Sequence, residues 1–519
     1  MRSTFHAIET AKRSLFTQQA ALQTTGQNVA NANTTGYSRQ TVNMVASRPI
    51  EAPGLTHSTS PGQLGTGVEF SSITRIRESY LDNQFRNENQ NNGSWSIRQD
   101  TLQKLETIMN EPTDSGLRSV LDNFFNSWQD LSENPEDLTA RKLVRENALA
   151  LTDAINQMSR QFDDLKSDLT TNIGTKVSQM NTSLKTIADL NTQIKRIEAF
   201  GDNANDLRDQ RDVLVDELSK MANVSVTETA DGYQVSMGGQ VLVDNGNPAT
   251  LETADVIGAF GSDLTGGELY GMIMSRDQYV TNFQSQLDTL VNGLANGEIS
   301  VTLPAGSVLP EGTVLNGVTY SGTNRTLASD LPVTVKGLNG LHQLGYTNQD
   351  PLKAAGAFFV STDGSPLTAG NIMVNKDIQN DANNIAASMR TATSGGTESV
   401  VKGNKNLALL MAQFNDTKIN FTSVNPDAMT GTGTVNDMYS SIIGQLGIQS
   451  QEAQRQTTNT QAVVDQVDAR RQAVSGVSLD EEMANLIKFQ HAYSAAARFM
   501  TTIDETLDKI INGTGVVGR

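Results

Sequence analysis

Apolar residues recur at steps of three and four from Ala148 through Leu165 and Val177 to Ile197, the spacing that lays one stripe along a helix. A stripe of that length predicts a coiled-coil-like rod. Three successive steps of four between Leu165 and Val177 predict a local unwinding of its supercoil. Val435 to Val474, rich in Gln, Ala and Val, reads as a second rod that packs back along the first. Proline agrees with both. None occurs between Pro135 and Pro248 or after Pro426, and a proline inside a helix costs about 3 kcal/mol.

The two ends carry stripes of the same kind. Leu479, Met483, Leu486, Tyr493, Met500, Leu507 and Ile511 fall on one face of a C-terminal helix, interrupted at Gln490 and Asp504. Ser478 is its expected N-cap, Asp480 to Glu482 put anions where the helix dipole favours them, and Gly513 ends it. At the other end Phe5, Ile8, Leu15, Leu22 and Val29 form a partner stripe with Ala11 beside them. The expectation is a pair of terminal coiled-coil helices whose seam these residues make, an assembly interface of the protein. Burying the C-terminal stripe would supply about 10 to 20 kcal/mol, against about 1 to 2 kcal/mol per residue for ordering the backbone. Such an arm should stay largely disordered until another surface covers it.

Between the rods the period changes. Val224, Val226, Val235, Met237, Val241 and Val243 alternate around Asp231-Gly232 and Asn245-Gly246, pairs that hairpin turns favour because Gly and Asn accept positive φ. This predicts a small β excursion at about 223–255. Residues 299–370, rich in Thr, Val and Leu and carrying Asn316-Gly317 and Asn339-Gly340, predict a separate β-rich insertion. The chain therefore reads as mainly α with inserted β domains. Paired terminal helices form a core from 1–38 plus 478–519. A long antiparallel helical rod domain takes 39–285 plus 400–477, and an outer β-rich domain takes 290–398.

Composition narrows the chemistry. With 57 Asp plus Glu against 39 Lys plus Arg, the net charge is -18, which repels nucleic acid and anionic membrane. The most apolar stretch, Leu407 to Phe414, is far short of the roughly 20 residues a bilayer requires. No nucleic-acid partner and no membrane insertion are expected. The absence of cysteine excludes disulfides and thiolate chemistry, and four histidines leave little for acid-base or metal chemistry. No phosphate-binding glycine loop, paired-histidine zinc motif or nucleophile elbow occurs, so no catalytic residue, cofactor or metal is expected. Asp202, Asp206, Asp209, Asp212 and Asp216 are spread over four helical turns with Arg208 and Arg211 among them. That pattern predicts a solvated, salt-bridged face and not a metal site. The first residues lack an apolar run with a small-residue cleavage site, so no cleaved signal is expected.

The most peculiar local sequence is Ala30 to Gln40, ANANTTGYSRQ, a helix stopped by polar residues with Gly36 suited to a left-handed turn. Its Asn31, Asn33, Gly36, Tyr37, Ser38, Arg39 and Gln40 resemble the N-terminal motif of the rod, hook and junction axial proteins of the bacterial flagellum. The ending YSRQ looks like the hook-associated version. Val477 to Gly513 looks like the matching C-terminus, and Asp206 to Val226, DLRDQRDVLVDELSKMANVSV, is similar to the family that forms the first hook-filament junction.

The resemblance implies a structural protein and not an enzyme, exported unfolded through the flagellar type III pathway and placed outside the cell at the hook-filament junction. It implies a head-to-tail polymer layer of copies of itself on the hook protein. The second junction protein, hook-associated protein 3, and through it flagellin, would follow, and a cytoplasmic export chaperone would hold the C-terminal helix. Two other readings stand beside it. A hook or rod subunit of the same superfamily fits less well with YSRQ and the stretch 206–226. A secreted adhesin or enzyme carried on flagellar export arms would need chemistry in 290–400, where no catalytic triad or aromatic platform occurs.

Overall fold

A computed structural model describes residues 5–49, 65–110, 116–229 and 232–513. Helices dominate, among them α1 (His6–Ala30), α2 (Ser79–Met109), α3 (Leu117–Glu133), α4 (Leu138–Glu198), α5 (Asn205–Met221), α6 (Thr281–Asn296), the short α7 (Gly337–His342) and α8 (Asn406–Gln413), α9 (Val435–Ser475) and α10 (Leu479–Gly513). The stripe expected in the first rod lies on α4 and is buried from Ala148 to Ile194, with Ile197 alone of that run left 37% exposed. The fold is mainly α with small antiparallel sheets, as the alternation of periods implied.

The chain divides into two compact units, each built from segments distant in sequence. The first comprises residues 1–94, 174–270 and 457–519. In it α10 packs along α1, and a ribbon of β1 (Gln40–Ala46) and β2 (Val68–Arg75), with Gln40 opposite Arg75, lies against α1. A four-stranded meander of β3 (Val224–Thr229), β4 (Gly232–Met237), β5 (Gln240–Asp244) and β6 (Asn247–Pro248) follows α5 directly. It occupies the span that the alternating valines predicted. Val235, Met237, Leu242 and Val243 are buried in it, and Asn245 turns the chain with a φ of 56°.

The second unit comprises residues 95–173 and 271–456. Its antiparallel sheet runs β8 (Leu331–Lys336), β7 (Glu298–Leu303), β9 (Ile419–Asn420), β10 (Thr432–Gly433). Short hairpins pair residues 313–315 with 318–320, 359–361 with 372–374, and 391–394 with 397–400. The core here is aromatic: Phe124 and Trp128 of α3 stand edge-on at 6.5 Å, and Phe358 reaches both at 5.9 and 5.6 Å. Such pairs add to the burial of the rings themselves.

His342, fully buried beside Phe358, is neutral by construction. Its Nδ1 donates to the Gly356 carbonyl at 2.7 Å and its Nε2 accepts from the Ala386 amide at 3.0 Å. Arg141 donates to the neighbouring Ile385 carbonyl and, at 2.7 Å, to that of Pro135. Burial first, and the Arg141 charge second, lower the imidazole pKa to about 4. The unfolded chain therefore takes up this proton before the folded one does. His342 stabilises the fold fully above about pH 6.5 and loses that contribution as pH falls towards about 4, worth about 3 kcal/mol at most. Melting followed from pH 7 to pH 4 should show a steeper fall for the parent than for His342→Gln. Parallel curves would remove His342 as the titrating group.

Candidate functional site: the joint of the terminal helices

Asp206, Asp209, Asp212 and Asp216 follow one another at steps of three, three and four, which sets four carboxyls along one side of α5. Arginines from four other places meet that side. Arg75, at the end of β2, donates through Nη1 to Asp209 at 2.8 Å and Asp212 at 2.7 Å. Arg77 lies 3.5 Å from Asp212 and forks onto Asp82 at 2.7 and 3.0 Å. Arg86 of α2 donates to Asp216 at 2.8 Å and Asp212 at 3.3 Å. Arg471 of α9 donates to Asp216 at 2.5 Å and stacks on Phe85, 4.0 Å from the ring centroid. From β4, the Tyr233 hydroxyl donates to Asp212 at 3.0 Å, and its ring carries the Arg211 guanidinium at 3.4 Å.

The expected solvated face is thus corrected. Asp202 and Asp206 are exposed, but Asp209 and Asp212 are only 4% and 1% exposed. The salt bridging was foreseen and the burial was not, because the guanidiniums that balance these carboxyls arrive from other elements. Burial pushes the Asp212 carboxyl up, and Arg77, Arg75 and Arg86 outweigh it to hold the pKa at about 2. At Asp209 burial wins over Ser38 and Arg75, and its pKa rises. Arg211, which lacks a carboxylate of its own, is lowered by burial. No cluster of His, Asp or Glu able to hold a metal occurs among the described residues.

The motif after α1 rests on this face. The Ser38 amide and hydroxyl both donate to Asp209 at 2.8 Å, and Gln40 Nε2 donates to Asp206 at 2.7 Å. Gly36 has a φ of 79° and lies where a side chain would collide with Val213, so glycine is required twice over. Arg39 donates through Nε to Glu482 at 2.8 Å and through Nη1 to Glu481 at 2.7 Å, in the first turn of α10. Its backbone amide donates to the Ser475 carbonyl, and its carbonyl accepts from Ile76. Asn28, inside α1, donates to the Gln40 carbonyl and to Glu482 at 2.9 Å each, and accepts from the Gln40 amide at 3.0 Å and the Tyr37 hydroxyl at 2.9 Å. Burial, then Asp206, Asp209 and Glu482, raise the Tyr37 pKa, so its proton stays on as the donor. Asn31 caps the end of α1 by donating to the Gln27 carbonyl, and Asn33 is exposed.

The three stretches that carry the family resemblance, 30–40, 206–226 and 477–513, therefore meet at one joint. Of its members the sequence indicated Tyr37, Ser38, Arg39, Gln40 and the aspartates, and Glu482 only as a first-turn anion of the C-terminal helix, while Asn28 and the Arg75, Arg77, Arg86 set went unnoticed. A polar residue interrupting the small and apolar seam of α1 was the available signal for Asn28.

The terminal helices pair as expected, in antiparallel sense, since Glu482 at the start of α10 meets Asn28 near the end of α1. The seam itself differs from the expected stripe. Ile8, Leu15, Leu22, Val29, Leu486, Met500 and Leu507 are half-buried, while Phe5, Leu479, Met483, Tyr493 and Ile511 are exposed. The buried positions are Ala11, Thr17, Ala21, Thr24, Thr25 and Asn28 of α1, where Thr17 donates to the Val68 carbonyl of β2, and Glu482 and Ala496 of α10. The packed side of α10 runs through Glu482, Leu486, Phe489, Ala496, Met500, Ile503 and Leu507, so it shares Leu486, Met500 and Leu507 with the expected face and replaces the others.

Residues 102–298 match the family model for the flagellar hook-associated protein FlgK helical domain. Residues 470–513 match that for the flagellar basal body rod FlgEFG protein C-terminal, and residues 8–37 that for flagella basal body rod protein. Aligned over 543 residues that cover all of both chains, the sequence is 35% identical to flagellar hook-associated protein 1 of Bacillus subtilis (strain 168). The chain belongs to the flagellar hook-associated protein 1 family. The proteins of that name from Escherichia coli (strain K12) and Salmonella typhimurium (strain LT2) are each 26% identical over 97% of this chain and 99% of theirs. A solved structure, the flagellar hook junction protein FlgK from Burkholderia pseudomallei, aligns with a TM-score of 0.49 at 17% identity, covering 76% of this chain and all of that one. Membership makes the chain a structural component of the external flagellum, of the hook-associated and not the hook or rod kind.

Proposed function

We propose that the chain leaves the cytoplasm unfolded through the flagellar export pathway and polymerises head to tail with its own copies on the hook protein. It then presents a surface to hook-associated protein 3 and through it to flagellin. The terminal core of 1–38 and 478–519 lines the tube, the helical rod of 39–285 and 400–477 surrounds it, and 290–398 forms the outer domain. No catalytic chemistry belongs to this role. A cytoplasmic chaperone covers α10 before export. The observation that carries the reading is the apolar surface left uncovered along α10, where Leu479, Met483, Ile487 and Phe499 are each 50% and Ile510 and Ile511 52% and 67% exposed. Apolar area of that extent along one helix marks a surface that other copies or a chaperone cover. Electron microscopy of cells lacking the protein should show hooks without filaments, with flagellin shed to the medium. Normal filaments would refute the junction role.

A further inference from the structure

The loop that joins α4 to α5 holds an aromatic ring out in water. Phe200 is 86% exposed, more than any other large apolar residue among those described, and Ile197, three residues before it, is 37% exposed. The loop itself is tied down. The Ala199, Phe200 and Gly201 amides donate to the Lys195, Ile197 and Glu198 carbonyls, and Gly201 turns the chain with a φ of 92°. Arg208 forks onto Glu198 at 2.6 and 2.8 Å, and Asn203 donates to the Ile73 carbonyl of β2 at 3.0 Å. So exposed a ring gains little from the subunit that fixes it. An aromatic side chain on a rigid base suits a contact outside the subunit, where it loses little freedom on binding.

We propose that Phe200 of one copy enters a cavity of the next copy, lying between α4, α5 and the motif after α1. That cavity, about 450 Å³, is mainly apolar and has Leu190, Val213, Leu214, Gly36 and Tyr37 in its walls. About 150 Å³ of apolar space is enough for a benzene ring. Charge selects the occupant. Arg196, beside Ile197, is exposed and has no carboxylate partner among the described residues. Asp206, exposed where it lines the cavity, accepts from the amides of Gln27 and Gln40 and meets no cation among the described residues. A second copy supplies both halves of that match, which orients the approach more than it strengthens it. The ring does not serve its own subunit's cavity, because Leu190 lies ten residues earlier, about 15 Å back along α4. Ring and cavity are different surfaces of one subunit, so the contact repeats without closing and builds an open layer. The inference rests on the reading of the chain as a component that polymerises with its own copies, and it names the surfaces by which they meet.

The full-length chain in flagellated cells tests the contact. With Phe200→p-benzoylphenylalanine, a photoreactive aromatic, irradiation should join two copies of this chain, and peptide mapping should place the link within 186–190 or 206–214. The reciprocal Thr35→p-benzoylphenylalanine, exposed where it lines the cavity, should link to 195–203 of another copy. Phe200→Asp should hold the melting temperature of the purified chain within about 1 °C, because the residue is exposed, and lower the number of cells bearing filaments at least about tenfold. Phe200→Leu, which keeps an apolar anchor, should restore most of them. Links from Phe200 to a different protein, to another stretch of this chain, or to nothing on cells that bear filaments would overturn the proposal. So would normal filament numbers with Phe200→Asp. The junction role fails separately, since it falls only if cells lacking the whole chain still carry filaments.

Discussion

Asp212→Ala should lower the melting temperature by about 10 °C, the largest single effect expected in this molecule. Asp212 is 1% exposed and answers three guanidiniums, those of Arg75, Arg77 and Arg86, as well as the Tyr233 hydroxyl. Removing one partner from a buried ion network leaves the others charged and out of water, at a cost of about 3 to 5 kcal/mol. For a compact unit of a few hundred residues each kcal/mol moves the midpoint by about 2 to 4 °C. The sign of the pH dependence follows from the same geometry. With its pKa held at about 2, Asp212 stabilises the fold fully above its ordinary value of 3.8 and loses that contribution as pH falls towards 2. Thermal melts of parent and variant at pH 7 and at pH 3 check both points. A shift below 2 °C at pH 7 would mean that the network is no stronger than surface ion pairs.

Ile487→Asp should leave the isolated protein's melting temperature unchanged within about 1 °C and abolish filaments, whereas Leu486→Asp should destabilise the isolated subunit. The two residues are neighbours on α10, but successive side chains on a helix point about 100° apart. Ile487 is 50% exposed, on the side assigned to other copies, while Leu486 is half-buried on the side that packs against α1. A carboxylate at Ile487 costs nothing until assembly, and then it must be desolvated without a partner. Cells carrying Ile487→Asp should have hooks, secrete the folded variant, and shed flagellin. Filaments of normal length on those cells would show that this side of α10 does not pack in the tube. Equal melting temperatures for the two variants would show that the seam is as loose as the exposed side.

Much of the fold was written in local periodicity. The α4 stripe could be read because thirteen turns of one spacing admit only one buried face, and burial follows it to Ile194. The β3 to β6 meander could be read because alternating valines were punctuated by residues that accept positive φ, and that chemistry acts within a few residues. The terminal helices and their pairing were legible for the same reason, and the motif residues Gly36, Ser38, Arg39 and Gln40 for their resemblance to a known pattern. What lay beyond reach depended on partners. The α10 helix is apolar on more than one side, so its sequence allows a seam through Met483 and Tyr493 as well as one through Phe489 and Ala496; α1, with Asn28 meeting Glu482, makes the choice. Asp209 and Asp212 looked like solvent-facing acids because a single helix cannot announce that Arg75, Arg77, Arg86 and Arg471 will converge on it from distant positions. The two-residue strands β9 and β10 carry no period at all, and they join the sheet only because β7 offers an edge. Short-range order came from the sequence because dihedral preference and side-chain spacing are local forces, while the joint came from tertiary structure because charges are matched through space.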